Sequence, residues 1–236
     1  MASTVGRGGQ ARAAAIFADP PRPHALPLVE WRAEGHPMPD ADDLIRRCRE
    51  GDGAAREELF ARYAVYLKVL AKGQIGARLR GKCDASDVVQ LTLLEAHRDF
   101  GTFQGAGEAE LLAWLRRILA HNLCNEARHF ATQQRDAGRE VAFDQLRQGV
   151  DQSSLLLAAQ LQANGPSPSQ QAQAREASVL MAEAIARLPE DYQEVLLLRI
   201  FEELPAEEVA QRMGRTAGAV RMLQMRALEA LRAEIG

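Results

Sequence analysis

The sequence predicts an all-α protein of two small helical domains joined by a flexible linker. Three observations carry this prediction. Apolar residues recur at helical spacing from Asp40 onward and nowhere alternate as a strand would. Two stretches of different texture, 1–38 and 132–173, are rich in Gly, Pro, Ser, Gln and Ala and bracket a first domain at 39–131 and a second at 174–236. Finally, LPAEEVAQRMGRTAGAVRMLQMRALEALR, Leu204 to Arg232, has the residue-size pattern of a helix-turn-helix.

Taken in order, PPRPHALP and HPMPD argue against helix or central strand, so residues 1–38 read as a flexible extension. A capped helix follows, with Asp40 or Asp42 as cap and Gly51 as stop, and then a longer one over Gly53–Lys72. Leu44, Ile45 and Cys48 form one core stripe; Leu59, Tyr63, Tyr66, Leu67 and Leu70 form another. In ASDVVQLTLLEAHRDF, Asp84 or Ser86 can cap a helix that carries Val88, Leu91 and Leu94/Glu95 on one side and Asp87, Gln90 and Thr92 on another. A loop, GTFQGAGEAE, leads to the strong helix ELLAWLRRILAHNLCNEARHF. Its core side holds Leu111, Leu115, Ile118, Asn122 and Leu123, which leaves Arg116, Arg117, His121, Asn125 and Arg128 outward.

Between 132 and 173 short apolar islands, Val141–Leu146 and Leu155–Leu161, interrupt polar sequence, and composition favours a mobile connector. Helical pattern resumes in AREASVLMAEAIARLPEDYQEVLLLRIFEE, with Leu180, Ala184, Leu188, Val195, Leu196 and Ile200 as core.

The C-terminal stretch reads as two helices, Ala206–Met213 and Ala217–Ala233, around a Gly-Arg-Thr turn, with Pro205 in the first turn and Thr216 as N-cap. Ala210 leaves room for only a methyl where the helices cross, Gly214 supplies positive φ, and Val220 plugs the gap. With Val220, Leu223, Ala227 and Leu231 inward, Gly218, Arg221, Met222, Met225 and Arg226 face out, and Arg215 and Thr216 lie at the helix N-terminus. Every charged residue between Gln211 and Leu228 is an arginine, which suits a polyanion. Arginines beside a helix N-terminus can meet phosphate or a guanine edge. A plain packed helix pair is the bland alternative.

Net charge is −3 over 236 residues, unusual for an autonomous duplex binder, so the DNA contact is expected to be local and assisted by a partner. No apolar run is of membrane-spanning length and the N-terminus lacks a signal-peptide core, so the expected location is cytoplasmic, with no membrane contact. Cys48, Cys83 and Cys124 are odd in number and widely spaced, and neither a disulfide frame nor a metal site follows. The paired acids Asp42/Asp43, Glu57/Glu58 and Glu207/Glu208 point to different helix faces, and His97, His121 and His129 have no partner set. No catalytic group, cofactor or small-molecule substrate is therefore expected.

The strings LIRRCREGDGAAREELFARY, SDVVQLTLLEAHRDF, AELLAWLRRILAHNLCNEAR and ARLPEDYQEVLLLRIFEELPAEEVAQRMGRTAGAVRMLQMRALEALR occur in this order over nearly all of Asp40–Glu234. In this the chain resembles bacterial RNA polymerase sigma factors of the extracytoplasmic-function (ECF) type. The resemblance implies a non-enzymatic initiation factor that binds core RNA polymerase and promoter DNA and has an anti-sigma factor as a possible further partner. It implies polymerase binding by Asp87, Gln90 and Thr92. It further implies recognition and melting of the −10 element by Arg117, His121, Asn122, Asn125 and Arg128, with Gly101–Gly107 near an extruded base. The −35 element would be read by Arg215, Thr216, Gly218, Arg221, Met222, Met225 and Arg226. The chain departs from the family at Met222 and Leu223, where a basic or small polar residue is common, and its loop has no aromatic between Phe103 and Trp114.

Elements about 17 base pairs apart lie roughly 58 Å apart at about 3.4 Å per pair. A linker of about 40 residues reaches at most about 130 Å and coils to about 35 Å, so it spans the gap without fixing the spacing. A stand-alone helix-turn-helix repressor or activator is the alternative, but such proteins usually dimerise on palindromes and no dimerisation coiled coil is evident. A pure interaction adaptor would keep the helices and tolerate loss of Arg215, Arg221 and Arg226.

Overall fold

The computed structural model describes residues 40–78, 84–130, 137–161 and 170–235. Among them every regular element is helical, as expected. The expectation of a flexible extension over 1–38 lies outside the described residues.

The first helix, α1 (Ala41–Arg49), starts at Asp40, whose carboxylate accepts from Asp42 N at 3.3 Å, and stops at Gly51 with φ +91°. The other candidate cap, Asp42, serves a different helix: its Oδ1 accepts from Glu108 N at 2.9 Å, at the start of α4 (Glu108–Phe130). Helix α2 runs Gly53–Arg78, past the Lys72 boundary that the Gly-containing KGQIG suggests. Gly73 is not punctuation. A Cβ there would lie 2.0 Å from Phe201 Cδ2, so the missing side chain lets an aromatic ring seat on the helix backbone.

Helix α3 (Ala85–Asp99) is capped by Asp84, Oδ1 to Ser86 N 2.8 Å, and runs into a 3₁₀ turn at Phe100–Thr102. Its buried stripe is Val88, Val89, Thr92 and Ala96. Leu91 and Leu94, grouped with Val88 in the sequence, are 39% and 67% exposed, because Val89 rather than Leu91 takes the place beside Val88. An aromatic cluster joins the turn to α4: Phe100 to Phe60 5.9 Å, Phe103 to Trp114 5.3 Å between ring centroids. Tyr63, fully buried, donates from its hydroxyl to Glu108 Oε1 at 2.7 Å; burial and the adjacent Glu108 carboxylate hold its pKa well above the usual tyrosine range.

The stretch expected as a mobile connector contains a helix, α5 (Ala137–Leu161). Leu146, Val150, Ser153, Ser154, Leu157 and Ala158 are buried at helical spacing. The serines are bonded into the core, Gln74 Nε2 donating to Ser153 Oγ at 3.0 Å and Tyr66 OH to Ser154 Oγ at 2.9 Å. Composition concealed this helix because two of its inward positions are polar and matched to polar partners.

The remaining helices are α6 (Gln170–Arg187), α7 (Glu190–Ile200), α8 (Ala206–Met213) and α9 (Ala217–Ile235). Val195 and Leu196 are buried with Ala184 and Leu188, whereas Leu180 and Ile200 are only half-buried. The described residues form one contact unit, in which α2 packs on α6 and α7 as well as on the helices of its own half.

Candidate nucleic-acid interface

The helix-turn-helix is built by small residues at its crossing. Val209 and Val220 are fully buried and Ala210 nearly so. Gly214 turns the chain with φ +63° and ψ +34°, and Arg215 N closes the turn on Ala210 O at 2.9 Å. Thr216 caps α9, its Oγ1 accepting from Ala219 N at 3.2 Å. Pro205 stands one place before α8, as its N-cap rather than in its first turn. This geometry exposes Arg215, Thr216, Gly218, Arg221, Met222, Met225 and Arg226 together, the full set expected on the outer face. Arg221 pairs with Glu207 and Arg215 with Asp191, while Arg226 has no ion pair among the described residues. Arg212 and Glu202, both largely buried, tie α8 to the turn before it.

Helix α4 supplies a second face. Arg117 and His121 are exposed, and Asn125 and Arg128 half-buried, with Arg128 Nη1 donating to Asn125 Oδ1 at 3.0 Å. Asn122 departs from the set. It is fully buried, as its place near the core stripe indicates, and cannot touch DNA directly in this packing. Arg116, expected outward, is held down by Asp151 (2.7 Å) and the Tyr66 hydroxyl (3.2 Å).

Beside α4 an open cleft of about 800 Å³ is lined by Phe103, Trp114, Arg117, Arg147, Asp151 and Leu155 among others. The loop at its rim is anchored by Phe103, packed inward on Trp114, with the Arg49 guanidinium over the Phe103 ring at 5.8 Å and bonded to Gly105 O. The cleft therefore combines cations, an aromatic edge and a carboxylate, a lining that can receive a base and its phosphate.

Helix α3 presents a third face. Asp87 and Gln90 are exposed as expected, and Leu91 and Leu94 share their side. Thr92 is buried and donates to Val88 O at 2.7 Å, so it is no surface contact. The two leucines escaped the sequence reading because apolar residues at helical spacing read as core; the extra valine at 89 was the available signal.

Among the described residues, no cluster of three or more His, Cys, Asp or Glu could hold a metal, and no helix is long and apolar enough to cross a membrane. Cys48 and Cys124 are buried free thiols, and burial pushes the Cys48 thiol up.

The family model for sigma-70, region 4 matches residues 178–231, which include α7, α8 and most of α9. Over 200 residues the chain is 30% identical to the ECF RNA polymerase sigma factor SigD of Mycobacterium tuberculosis, covering 82% of this chain and 83% of that one. The chain belongs to the ECF sigma factors. It is also 29% identical over 202 residues to ECF RNA polymerase sigma factor BldN of Streptomyces coelicolor (83% of this chain, 67% of the relative). With the ECF RNA polymerase sigma-E factor of Haemophilus influenzae it shares 28% identity over 192 residues (81% and 93%).

As an ECF sigma factor the protein is a regulatory subunit that acts with core RNA polymerase and promoter DNA to direct transcription initiation. The stand-alone repressor or activator is not favoured. The sigma factor carries its exposed arginines in the turn before α9 and on α9 itself, within the matched region 4.

Proposed function

We propose that the exposed α9 set, Arg215, Thr216, Gly218, Arg221, Met222, Met225 and Arg226, reads the −35 element of the promoter. Arg117, His121, Asn125 and Arg128 on α4 meet and help melt the −10 element, with the adjacent cleft receiving an extruded base. Asp87 and Gln90, joined by Leu91 and Leu94, dock on core polymerase. Residues 39–131 and 174–236 then act as two modules and 132–173 as their connection. On the polymerase α7–α9 part from α2, so that the two faces can meet elements roughly 58 Å apart.

The observation that carries this reading is the concentration of exposed arginine with small and methionine side chains on one face of α9, around a helix N-terminus. We further place the protein in the cytoplasm, where core polymerase works. Of the acids in 190–191 and 202–203, Asp191 is paired with Arg215 and Glu202 with Arg212, which leaves Glu190 and Glu203 to keep this surface solvated or to meet polymerase or an anti-sigma factor.

The test is run-off transcription from a promoter library by bacterial core polymerase with and without the protein, followed by sequencing of enriched templates. Two shared elements at fixed spacing are expected. Arg221→Ala or Arg226→Ala should weaken selection of the upstream element and leave core binding intact; retained selection overturns the α9 assignment, and equal loss of both activities argues for misfolding instead.

A further inference from the structure

The side chains that the family resemblance assigns to two different partners, Thr92 and Asn122, meet each other in the interior. Asn122 on α4 donates from Nδ2 to Thr92 Oγ1 at 3.2 Å and to Glu95 Oε2 at 3.1 Å, both on α3. Thr92 spends its own hydroxyl proton on Val88 O at 2.7 Å, so its Oγ1 can only accept, as can the Glu95 carboxylate. The orientation of the amide follows. Its nitrogen faces α3 with both hydrogens used, and its oxygen, Oδ1, is left buried without a donor among the described residues.

An unpaired buried acceptor weakens a fold, and leucine, with equal branching and as many side-chain heavy atoms, fills such a place without one. Asn122 sits among Leu119, Leu123 and Cys124, all fully buried. The two bonds the amide donates offset that cost, so stability alone does not require asparagine there. What the amide adds is register: two apolar helices can rotate against each other within a broad range of packing angles, whereas one planar amide bonded to both Thr92 and Glu95 admits one rotation. The exposed side of α3, with Asp87, Gln90, Leu91 and Leu94, is thereby held at a set angle to Arg117 and His121 on α4.

We infer that Asn122 is a positioning residue for promoter opening: its amide, bridging Thr92 and Glu95, locks the polymerase-docking face of α3 to the DNA-facing side of α4. The inference rests on the assignment of α3 and α4 made above. Neither Thr92 nor Asn122 touches a partner; both act through the helices they join.

The experiment uses the full chain with Asn122→Leu, Thr92→Val and the double substitution. Thermal midpoint, affinity for core polymerase by anisotropy of labelled protein, and opening of a promoter followed by 2-aminopurine in the −10 element are each measured. Asn122→Leu is expected to melt within a few degrees of the parent and to bind core within about twofold. Opening should slow by about tenfold, the scale of coupling within one buried network, and the double substitution should open no more slowly than Asn122→Leu alone. Opening at the parental rate in Asn122→Leu or in Thr92→Val overturns the inference; Thr92→Val decides it alone if Asn122→Leu fails to fold, since it removes an acceptor while keeping the shape. Arg117→Ala is run in parallel: if it also opens promoters normally, the underlying assignment of α4 has failed, whereas slow opening in Arg117→Ala with normal opening in the bridge variants defeats the bridge alone.

Discussion

Gly73→Ala sets two effects of opposite sign against each other. In the interior of α2, replacing glycine by alanine stabilises helix by about 0.5–1 kcal/mol, and on that ground alone the variant would melt higher. The added methyl, however, would lie 2.0 Å from Phe201 Cδ2 and 2.7 Å from Cε2, so the ring must leave its seat. Burying a Phe is worth about 1.5–3 kcal/mol and overpacking costs about 1–3 kcal/mol. With Phe201 half-buried at the C-cap of α7, the loss is taken near 2 kcal/mol, which outweighs the helix gain. The net is about 1 kcal/mol of destabilisation, or a thermal midpoint lower by about 2–4 °C. Scanning calorimetry of Gly73→Ala, Phe201→Ala and the double substitution checks this. In the Phe201→Ala background the clash is gone, so Gly73→Ala should raise the midpoint there. A rise of equal size in both backgrounds would refute the close approach of ring and helix. Run-off activity below the transition should stay at the parental level, because the proposed promoter arrangement parts the same two helices.

Leu94→Glu alters a side chain 67% exposed, so the midpoint should move little, while the affinity for core polymerase falls; unchanged affinity by titration would remove α3 from that interface. Ala210→Leu forces bulk into the crossing of α8 and α9, where Ala210 is 5% exposed, at about 1–3 kcal/mol, and selection of the upstream element should be lost in the library assay; retained selection would mean that the crossing is not tight. His97 lies 5.1 Å from the Phe60 ring, and burial, then the Arg56 charge, lower its pKa against a smaller opposing pull from Glu57. The unfolded chain therefore binds the proton first. Stability from keeping His97 neutral is complete above the ordinary histidine value, about 6.5, and is lost as pH falls from there through the folded value. His97→Phe should flatten the change in urea midpoint between about pH 7.5 and pH 5.5, and an unaltered slope would put the titration elsewhere.

The helix-turn-helix was legible almost residue by residue because its constraints are local. A methyl at 210, positive φ at 214 and a β-branched plug at 220 follow from two helices crossing at a short turn, and the outward set follows from their phase. Helix α5 was hidden for the opposite reason. Its inward serines are explained only by Gln74 and Tyr66, far away in sequence, and no local pattern distinguishes a matched buried serine from a solvated one. Gly73 misled in the same way, since a glycine that ends a helix and one that admits a distant ring look alike along the chain. On α4 the core stripe placed Asn122 inward while the family's alignment placed it on DNA. Burial decides for the stripe, and of its neighbours in the proposed set His121 is exposed and Asn125 half-buried.

The ion pairs on the helix-turn-helix bear on why a chain of net charge −3 can serve a nucleic-acid face. Arg221 with Glu207 and Arg215 with Asp191 might be taken for a self-block, with carboxylates standing where phosphates would. Their exposure argues against that. The side chains of Arg221 and Glu207 are 62% and 61% exposed, and pairs so open to solvent contribute about 0–1 kcal/mol, less than a charge-assisted bond to phosphate at a helix N-terminus returns. The pairs exchange rather than block. What they remove is long-range attraction, since at distances large compared with the separation of the pair each acid cancels its arginine. Arg226, unpaired among the described residues, keeps its full field. A surface of this kind binds duplex poorly alone and well when a scaffold has already brought it within contact range, and core polymerase is that scaffold for a sigma factor.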